Sequence, residues 1–470
     1  MADCGNSARL CRNRRSQKAG RQIETTIHNV SAPISTSSAP LRVLIVAEAA
    51  NPEWVSVPLV GWSLARAIGR VAEVHIVTQI RNRDAFVRAG LVEGQDFTAI
   101  DSEAIAKPLW ALGSILRMGD GKGWTALQLI NALSYPHFER LIWRKFGAAI
   151  KRGDYDIVHR VTPLSPTISS KLAAKCARAK TPFVVGPLNG GVPWPKGFDA
   201  ERRREKEWLS YLRSAYKLLP GRRAMLRHAA ALIVGSQHTK SEIPARYQHK
   251  TVYIPENAID PTRFNRTAAA QDGVMRACFI GRLVPYKGPD MLLEAALPLL
   301  RSGRLHIDLI GDGPMMPSLR NFVQEHAIEE AVSFHGWLDH SDVQDVACQA
   351  QILSFPSVRE FGGGVVLEAM ALGLVPLIVD YAGPAELVTP DIGVKSPIGD
   401  RAEIVARFGQ ALSDLVASPE TLPQMAQNGR AKIASHFTWD RKAEQVLSVY
   451  RWVLGHQAER PDPFGPSTDA

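Results

Sequence analysis

Two glutamates and three glycines stand together between a strand-like and a helix-like run of this chain. Glu360 and Glu368 flank Gly362, Gly363 and Gly364 in the stretch REFGGGVVLEAMALG. A glycine inside a regular element costs about 0.5–1 kcal/mol relative to alanine, so three in a row need compensation, and a bound ligand is one candidate. Glycines ahead of a helix leave its first backbone N–H groups open to a diphosphate. The glutamates can accept hydrogen bonds from hydroxyl groups; a surface charge and a capping or ion-paired carboxylate are the alternatives.

Two cations precede another helix-like run, in the stretch FIGRLVPYKGPDMLLEA. Gly281 ends a strand-like segment, and Arg282 and Lys287 follow in the loop before the helix. A loop in this position aims cations and helix N–H groups at an anion, typically a phosphate. A solvated loop that happens to contain arginine and lysine is the alternative. Gly336 and Trp337 end a further strand-like run, where the backbone and an aromatic ring can hold a flat base.

Length and composition limit the class of protein that positions these residues. A chain of 470 residues exceeds what one core usually holds, so two domains are expected. The five cysteines are scattered without metal-ligand spacing, which argues against a disulfide framework and against a zinc site. No apolar run reaches membrane-spanning length, and the N-terminus lacks the apolar core of a signal peptide. We therefore expect a cytoplasmic protein.

Short apolar strand-like runs alternate with helix-length segments in two successive series. This alternation predicts parallel sheets that are covered by helices on both faces. We expect an α/β protein with two doubly wound domains facing a central cleft, and ligands beyond the carboxyl ends of the strands. The predicted organisation is a disordered basic tail at 1–40, a domain at 41–255, a linker at 256–274, a second domain at 275–437, a helix at 438–455 and a flexible tail at 456–470.

The net charge of +10 is concentrated in two segments. Residues 1–24 carry six basic against two acidic residues, and residues 201–228 carry nine against three. Since the rest of the chain balances, diffuse nucleic-acid binding is a poor explanation and one local anionic surface is a better one. Within 201–228, apolar and aromatic residues follow helical spacing between cations, which is typical of a segment lying on an anionic membrane. The alternative is that the apolar stripe packs on the first domain and the cations are solvated.

The order of these motifs resembles that of the retaining glycosyltransferases of family 4. The resemblance is densest over about 275–390, where Gly-Asp-Gly-Pro at 311–314 and Phe-His-Gly at 334–336 lie between the cations and the glutamates. It implies the GT-B fold, two Rossmann-like domains with the donor bound mainly in the second. It also implies that the helix at 438–455 crosses back to the first domain. The implied activity is hexosyl transfer from a nucleotide-sugar donor to a glycan or lipid-linked acceptor, in cell-surface polysaccharide or glycolipid biosynthesis.

The resemblance also assigns roles to individual residues. Arg282 and Lys287 would neutralise the donor diphosphate and Glu368 would bind the ribose. Glu360 would contact the transferred sugar, which makes Glu360, Arg282 and Lys287 the implied catalytic residues. The other implied donor contacts are Gly281, Trp337, Phe361, Gly362, Gly363, Gly364 and Val365. Fixed cations and helix N–H groups can take the place of a metal beside a leaving diphosphate. Because no Asp-x-Asp signature follows the strands, we expect no metal or cofactor.

The first domain departs from the pattern of the family. AEAANPEWVSV stands where many relatives have a paired-glycine loop, and a valine replaces the second histidine of a His-x-His motif that begins at His159. An acceptor contact and a core or loop position remain open for His159. The loop GPLNGGVPWPKGF contains Asn189, Gly190 and Gly191, and we expect it to face the cleft on the acceptor side.

Two other functions compete with transfer. A nucleotide-sugar isomerase or epimerase of the GT-B type would use a similar cleft, with acid and base residues from both domains beside the sugar. A non-catalytic relative would bind the nucleotide sugar only. The presence of Arg282, Lys287, Glu360 and Glu368 together disfavours the non-catalytic alternative.

Overall fold

The structure is a computed structural model. It describes residues 39–103, 124–190, 192–195, 197–199, 220–268 and 273–465, and for 124–133, 220 and 340 the backbone alone. The tail predicted at 1–40 therefore lies outside the described residues up to position 38. Gly191 and positions 201–219 of the basic segment lie outside them as well.

The first domain is built on a parallel sheet of seven strands. Its order is β3-β2-β1-β4-β5-β6-β7. Strand β1 pairs with β2 on one side and with β4 on the other, so the strand order reverses between β1 and β4, which is the topological switch point. The strands are β1 (Arg42–Ala47), β2 (Glu73–Gln79), β3 (Phe97–Ile100), β4 (Ile157–Thr162), β5 (Phe183–Leu188), β6 (Ala231–Val234) and β7 (Thr251–Tyr253). Every residue of β4, β5, β6 and β7 is buried, which explains why these strands read as continuous rather than alternating runs.

Helices cover both faces of this sheet, and each face has its own apolar cluster. The helices are α1 (Val57–Ile68), α2 (Arg83–Arg88), α3 (Trp124–Arg152), α4 (Leu172–Arg178), α5 (Pro220–His228) and α6 (Gln237–Ser241). The last helix, α6, begins at the carboxyl end of β6 and is capped by the Ser236 hydroxyl, which accepts from the Thr239 N–H.

The second domain has a parallel sheet of six strands in the order β10-β9-β8-β11-β12-β13. The strands are β8 (Met275–Ile280), β9 (Leu305–Ile310), β10 (Val332–Gly336), β11 (Ile352–Phe355), β12 (Val375–Asp380) and β13 (Val394–Pro397). Its helices are α7 (Pro289–Arg301), α8 (Met316–Glu325), α9 (His340–Ala347), α10 (Gly364–Leu372), α11 (Ala382–Leu387), α12 (Arg401–Ala417) and α13 (Leu422–His436). The last helix of the chain, α14 (Trp439–Val453), follows them. The predicted α/β class with two doubly wound domains is confirmed.

The linker and the last helix run together where the chain passes between the domains. The Ile259 N–H donates to the Phe437 carbonyl at 2.7 Å, and the Trp439 N–H donates to the Ile259 carbonyl at 3.3 Å. From there α14 packs against α1 of the first domain, and Tyr450 is fully buried in a first-domain cluster. The last helix of the chain therefore belongs spatially to the first domain.

A carboxylate of the second domain also contacts the first. Glu386 in α11 accepts from the backbone N–H of Gln237 at 3.0 Å, at the start of α6. The Tyr253 hydroxyl donates to the same carboxylate at 2.8 Å. Burial raises the pKa of Glu386, and these donors oppose that shift by stabilising the charged form.

The chain after α14 is packed where it is described, although a flexible tail was predicted at 456–470. The Phe464 ring lies 5.4 Å from the ring of Tyr253 and 5.4 Å from that of Phe437, measured between centroids. Arg460 donates to the Gln248 carbonyl at 2.9 Å. Since Tyr253 belongs to the first domain and Phe437 ends the second, this segment contacts both.

Only the end of the basic segment at 201–228 is described, and its residues differ in exposure: Arg223 and Arg227 are exposed, whereas others are buried. Met225 and Leu226 of α5 are buried in the first-domain core. Arg222 is also buried and donates to the Glu242 carbonyl at 3.1 Å. The helical stripe at 208–219, on which the membrane prediction rests, lies outside the described residues. No helix among the described ranges is long and apolar enough to cross a membrane.

Candidate active site

The cations and glycines predicted to bind an anion lie at the carboxyl edge of the second sheet. The Gly281 N–H donates to the Ile310 carbonyl at 2.9 Å, which joins the ends of β8 and β9. Arg282 follows and is exposed. Lys287 ends a short 3-10 turn just before α7 and is half-buried, with its Nζ 4.9 Å from the centroid of the Phe355 ring. Arg282 and Lys287 thus belong to one loop at this edge.

Lys287 and Glu360 form an ion pair, although they are far apart in sequence. Lys287 Nζ donates a hydrogen bond to Glu360 Oε2, and both side chains are largely shielded from solvent. The two loops are also joined through the backbone, since the Val358 N–H donates to the Tyr286 carbonyl at 3.0 Å. A fixed ammonium group beside a carboxylate can hold an anionic ligand on one side and hydroxyl groups on the other.

The three consecutive glycines differ in backbone conformation and in the space around them. Gly363 adopts φ 61° and ψ 33° as the residue before α10, a left-handed conformation that favours glycine. A Cβ on Gly362 would fall closer than 3.0 Å to Glu256 Oε1 and to Asn257 Nδ2. A Cβ on Gly364 would meet nothing nearer than 3.6 Å. The protein itself therefore requires the first two glycines, and only Gly364 is left to be explained by the approach of a ligand.

We expect Gly362→Ala to destabilise the protein by about 1–3 kcal/mol, because the added methyl group overlaps the Glu256 carboxylate. Gly364→Ala, the matched control, should leave the melting temperature unchanged or slightly higher, because its Cβ would make only ordinary van der Waals contact with Asn257 at a helix start. If a diphosphate approaches the α10 N–H groups, Gly364→Ala should still weaken nucleotide binding. Thermal denaturation of both variants tests the first expectation; equal melting temperatures would contradict it.

Glu256 and Asn257 belong to this site, although the sequence placed them in a linker. Glu256 is buried and accepts a hydrogen bond from Asn189 Nδ2 at 2.6 Å. Burial raises its pKa to about 7, and the hydrogen bond from Asn189 opposes that rise. The sequence signal that could have identified them is a polar pair separated by two residues from the buried strand β7, at the carboxyl edge of a sheet. Glu256 thereby joins the Asn189 loop to the glycine loop.

Glu368 lies one turn into α10 and is half-buried. Burial raises its pKa to about 7; the charge of Glu360 raises it further, and Arg263 opposes the rise. Hydroxyl groups that donate hydrogen bonds to this carboxylate would stabilise its charged form, which burial disfavours. The position is compatible with the ribose contact that the family resemblance implies.

The raised pKa of Glu368 makes the stability of the protein depend on pH. Its folded-state pKa of about 7 lies above the ordinary value of 4.5, so the folded state disfavours the charge. The resulting destabilisation is absent below pH 4.5, grows as the pH rises, and is complete above about pH 7. We expect Glu368→Gln to raise the free energy of unfolding by about 1–3 kcal/mol at pH 8 and by little at pH 4.5.

Urea denaturation at the two pH values measures this difference. Glu420→Gln is the matched control, since Glu420 is exposed and the same substitution should leave stability unchanged at both pH values. A gain from Glu368→Gln that is equal at pH 4.5 and pH 8 would show that charge burial is not its cause.

Trp337 and the residues that were predicted to lie on the acceptor side differ in exposure. Trp337 follows β10 and is 68% exposed, so its ring is available at the same edge of the sheet. Asn189 is buried, and its backbone N–H donates to the Leu164 carbonyl at 2.9 Å. Gly190 follows it with φ 135° and accepts at its carbonyl from the Thr239 hydroxyl. Gly191 lies outside the described residues.

His159 is a core histidine. It is fully buried in β4, with Nδ1 2.6 Å from the Tyr450 hydroxyl and Nε2 2.8 Å from the Gly186 carbonyl. Burial lowers its pKa to about 4, so the ring is neutral at physiological pH. Because both ring nitrogens are engaged, the core alternative left open by the sequence applies, and His159 joins β4 to α14. In the described part of the chain, no group of three or more His, Cys, Asp or Glu is placed to hold a metal ion.

The two doubly wound domains, with the last helix returning to the first, define a protein of the GT-B fold. A solved structure of Anabaena HepE in complex with UDP has the same fold, with a TM-score of 0.57 at 14% sequence identity. The alignment covers 87% of this chain and 98% of that one. The model of the family Glycosyl transferases group 1 matches residues 263–432, which lie largely in the second domain.

Curated relatives are also glycosyltransferases by name. The chain is 28% identical over 264 residues to D-inositol 3-phosphate glycosyltransferase of Gordonia bronchialis, covering 52% of this chain and 57% of that protein. It is 24% identical over 245 residues to alpha-D-kanosaminyltransferase of Streptomyces kanamyceticus, covering 49% of this chain and 62% of that protein. The chain thus spans about three fifths of the length of these two relatives.

Proposed function

We propose that the protein is a retaining glycosyltransferase that moves a sugar from a nucleotide-sugar donor to a glycan or lipid-linked acceptor. The observation that carries the proposal is the Lys287–Glu360 ion pair at the carboxyl edge of the second sheet, in the domain matched to the group 1 family. The GT-B likeness to a protein solved with UDP supports a nucleotide donor.

The chemistry follows from the charges at the site. Departure of a nucleoside diphosphate places negative charge on the leaving oxygen while the anomeric carbon gains oxocarbenium character. Lys287, Arg282 and the open N–H groups of α10 would stabilise the diphosphate, and the Glu360 carboxylate would lie beside the sugar. Glu368 would accept from the ribose hydroxyls, and Trp337 would cover the base. This arrangement supplies the needed positive charge from side chains and backbone, so we propose that transfer does not depend on a metal.

Incubation with a panel of nucleotide sugars, in the presence of EDTA, tests this function. We expect release of a nucleoside diphosphate together with transfer to a glycan or lipid-linked acceptor. NMR of the product should show that the anomeric configuration of the donor is retained. Epimerised nucleotide sugar without transfer would favour the isomerase, and binding without turnover would favour the non-catalytic relative.

We also propose that a lipid-linked acceptor is met at the inner face of the cytoplasmic membrane, through the cations of the basic segment. Arg202, Arg203, Arg204 and Lys206 each contribute about 1 kcal/mol near an anionic bilayer. We expect salt-sensitive sedimentation with anionic liposomes, lost when these four residues become glutamate. The protein should begin at Ala39, so that the basic residues at 1–24 do not contribute. If the protein stays wholly unbound to the liposomes at low salt, the membrane proposal is wrong and a soluble acceptor is favoured.

A further inference from the structure

A loop of the first domain is anchored in the second. Residues 192–195 and 197–199 follow β5, and Phe198 is only 1% exposed within the apolar core of the second domain. The Tyr381 hydroxyl, just before α11, donates to the Pro193 carbonyl at 2.8 Å. These two contacts fix the loop against the second domain on both sides of Trp194.

Trp194 contacts the residue before each member of the ion pair. Its ring is edge-to-face with that of Tyr286, at 6.2 Å between centroids and 89° between planes. The Arg359 guanidinium carbon lies 4.9 Å from the centroid of the Trp194 ring and 5.4 Å from that of Phe361. Tyr286 immediately precedes Lys287, and Arg359 immediately precedes Glu360. The Trp194 ring therefore joins the two loops that carry the ion pair.

We propose that Trp194 is a positioning residue of the donor site, contributed by the first domain, which fixes Lys287 and Glu360 relative to each other. The inference rests on the proposed function and adds to it a residue that the sequence did not single out. Arg359 is 8% exposed as a whole residue, so the aromatic faces around its guanidinium group replace much of its contact with water. Without Trp194, one of these faces and the edge-to-face contact with Tyr286 are lost together.

The backbone contact between the loops makes this role separable from folding. Since the Val358 N–H still donates to the Tyr286 carbonyl, the loops stay attached when the ring is removed, and only the side-chain geometry loosens. The loop containing Trp194 was predicted to serve the acceptor. If Trp194 is a positioning residue, its substitution should instead change the KM for the donor and leave the KM for the acceptor nearly unchanged.

Steady-state kinetics of Trp194→Ala and Trp194→Phe, with donor and acceptor varied separately, test the proposal. We expect Trp194→Ala to raise the KM for the donor by about 3- to 30-fold, the range of a partly buried cation–π contact. The KM for the acceptor should change less than twofold, and Trp194→Phe should recover most of the loss. Trp143→Ala is the matched control, since Trp143 is also half-buried and contacts Lys175 on a distant face. It should change neither KM.

Calorimetric titration with UDP, GDP and ADP gives a second readout that does not require turnover. Weaker nucleotide binding by Trp194→Ala, recovered by Trp194→Phe, supports the proposal. Unchanged donor KM and nucleotide affinity in Trp194→Ala, or a change confined to the acceptor KM, would overturn it. A wild-type protein that binds a nucleotide but turns over no nucleotide sugar would instead contradict the proposed function, and the affinity comparison would still decide the role of Trp194.

Discussion

Lys287→Ala is expected to lower kcat/KM for the nucleotide sugar by about 30- to 1,000-fold, which corresponds to about 2–4 kcal/mol of transition-state stabilisation. The substitution removes an ammonium group from the leaving diphosphate. It also leaves the Glu360 carboxylate, which Lys287 pairs with, as an uncompensated negative charge beside an anionic ligand. Both consequences act against turnover, so this variant should show the largest loss.

Lys395→Ala is a matched control for this measurement. Lys395 pairs with Asp380 at 3.2 Å in the same domain, and both side chains are partly exposed. Partly exposed pairs contribute little, so we expect nearly unchanged kinetics. Arg282→Ala should resemble Lys287→Ala in direction, with no loss of stability because Arg282 is exposed. A wild-type rate in either Lys287→Ala or Arg282→Ala would remove that residue from the diphosphate site.

The two glutamates should affect different kinetic quantities. Glu360→Ala should lower kcat strongly while the affinity for a free nucleoside diphosphate is kept or increased, because Lys287 loses its competing partner and becomes available to the phosphates. Glu368→Ala should weaken nucleotide affinity by about tenfold, the equivalent of one hydrogen bond to a charged group.

Calorimetry with UDP, GDP and ADP measures the affinities, and turnover of the preferred nucleotide sugar measures kcat. Equal nucleotide affinity in Glu368→Ala and in the wild type would overturn the ribose contact. Loss of nucleotide binding in Glu360→Ala, with turnover at saturation unchanged, would exchange the roles assigned to the two glutamates.

The sequence predicted the fold correctly because both sheets are parallel and buried on both faces. Such strands read as uninterrupted apolar runs, and the helices between them fall at regular intervals. It also placed Lys287 and Glu360 at the same sheet edge. It did not predict their pairing, because two loops at one edge can lie side by side or apart, and only their packing decides which.

Other features depend on contacts that a local pattern does not encode. From the sequence alone, Glu256 is assigned to the linker. In the structure its carboxylate lies against Gly362. The His159 ring contacts the Tyr450 hydroxyl, 291 residues further along the chain. Phe464 lies in a polar tail, yet its ring packs between the two domains. In each case the partner is distant in sequence, and the local pattern favours a looser structure.

A crystal structure of the complex with a nucleoside diphosphate, chosen by the calorimetric panel, shows directly where the donor binds. We predict that the diphosphate lies between Lys287 Nζ and the backbone N–H groups at the start of α10, with the ribose hydroxyls on Glu368. The Lys287–Glu360 contact should lengthen or become shared with the ligand. A nucleotide bound at the carboxyl edge of the first sheet, or one that leaves Lys287 and Gly364 uncontacted, would contradict the account.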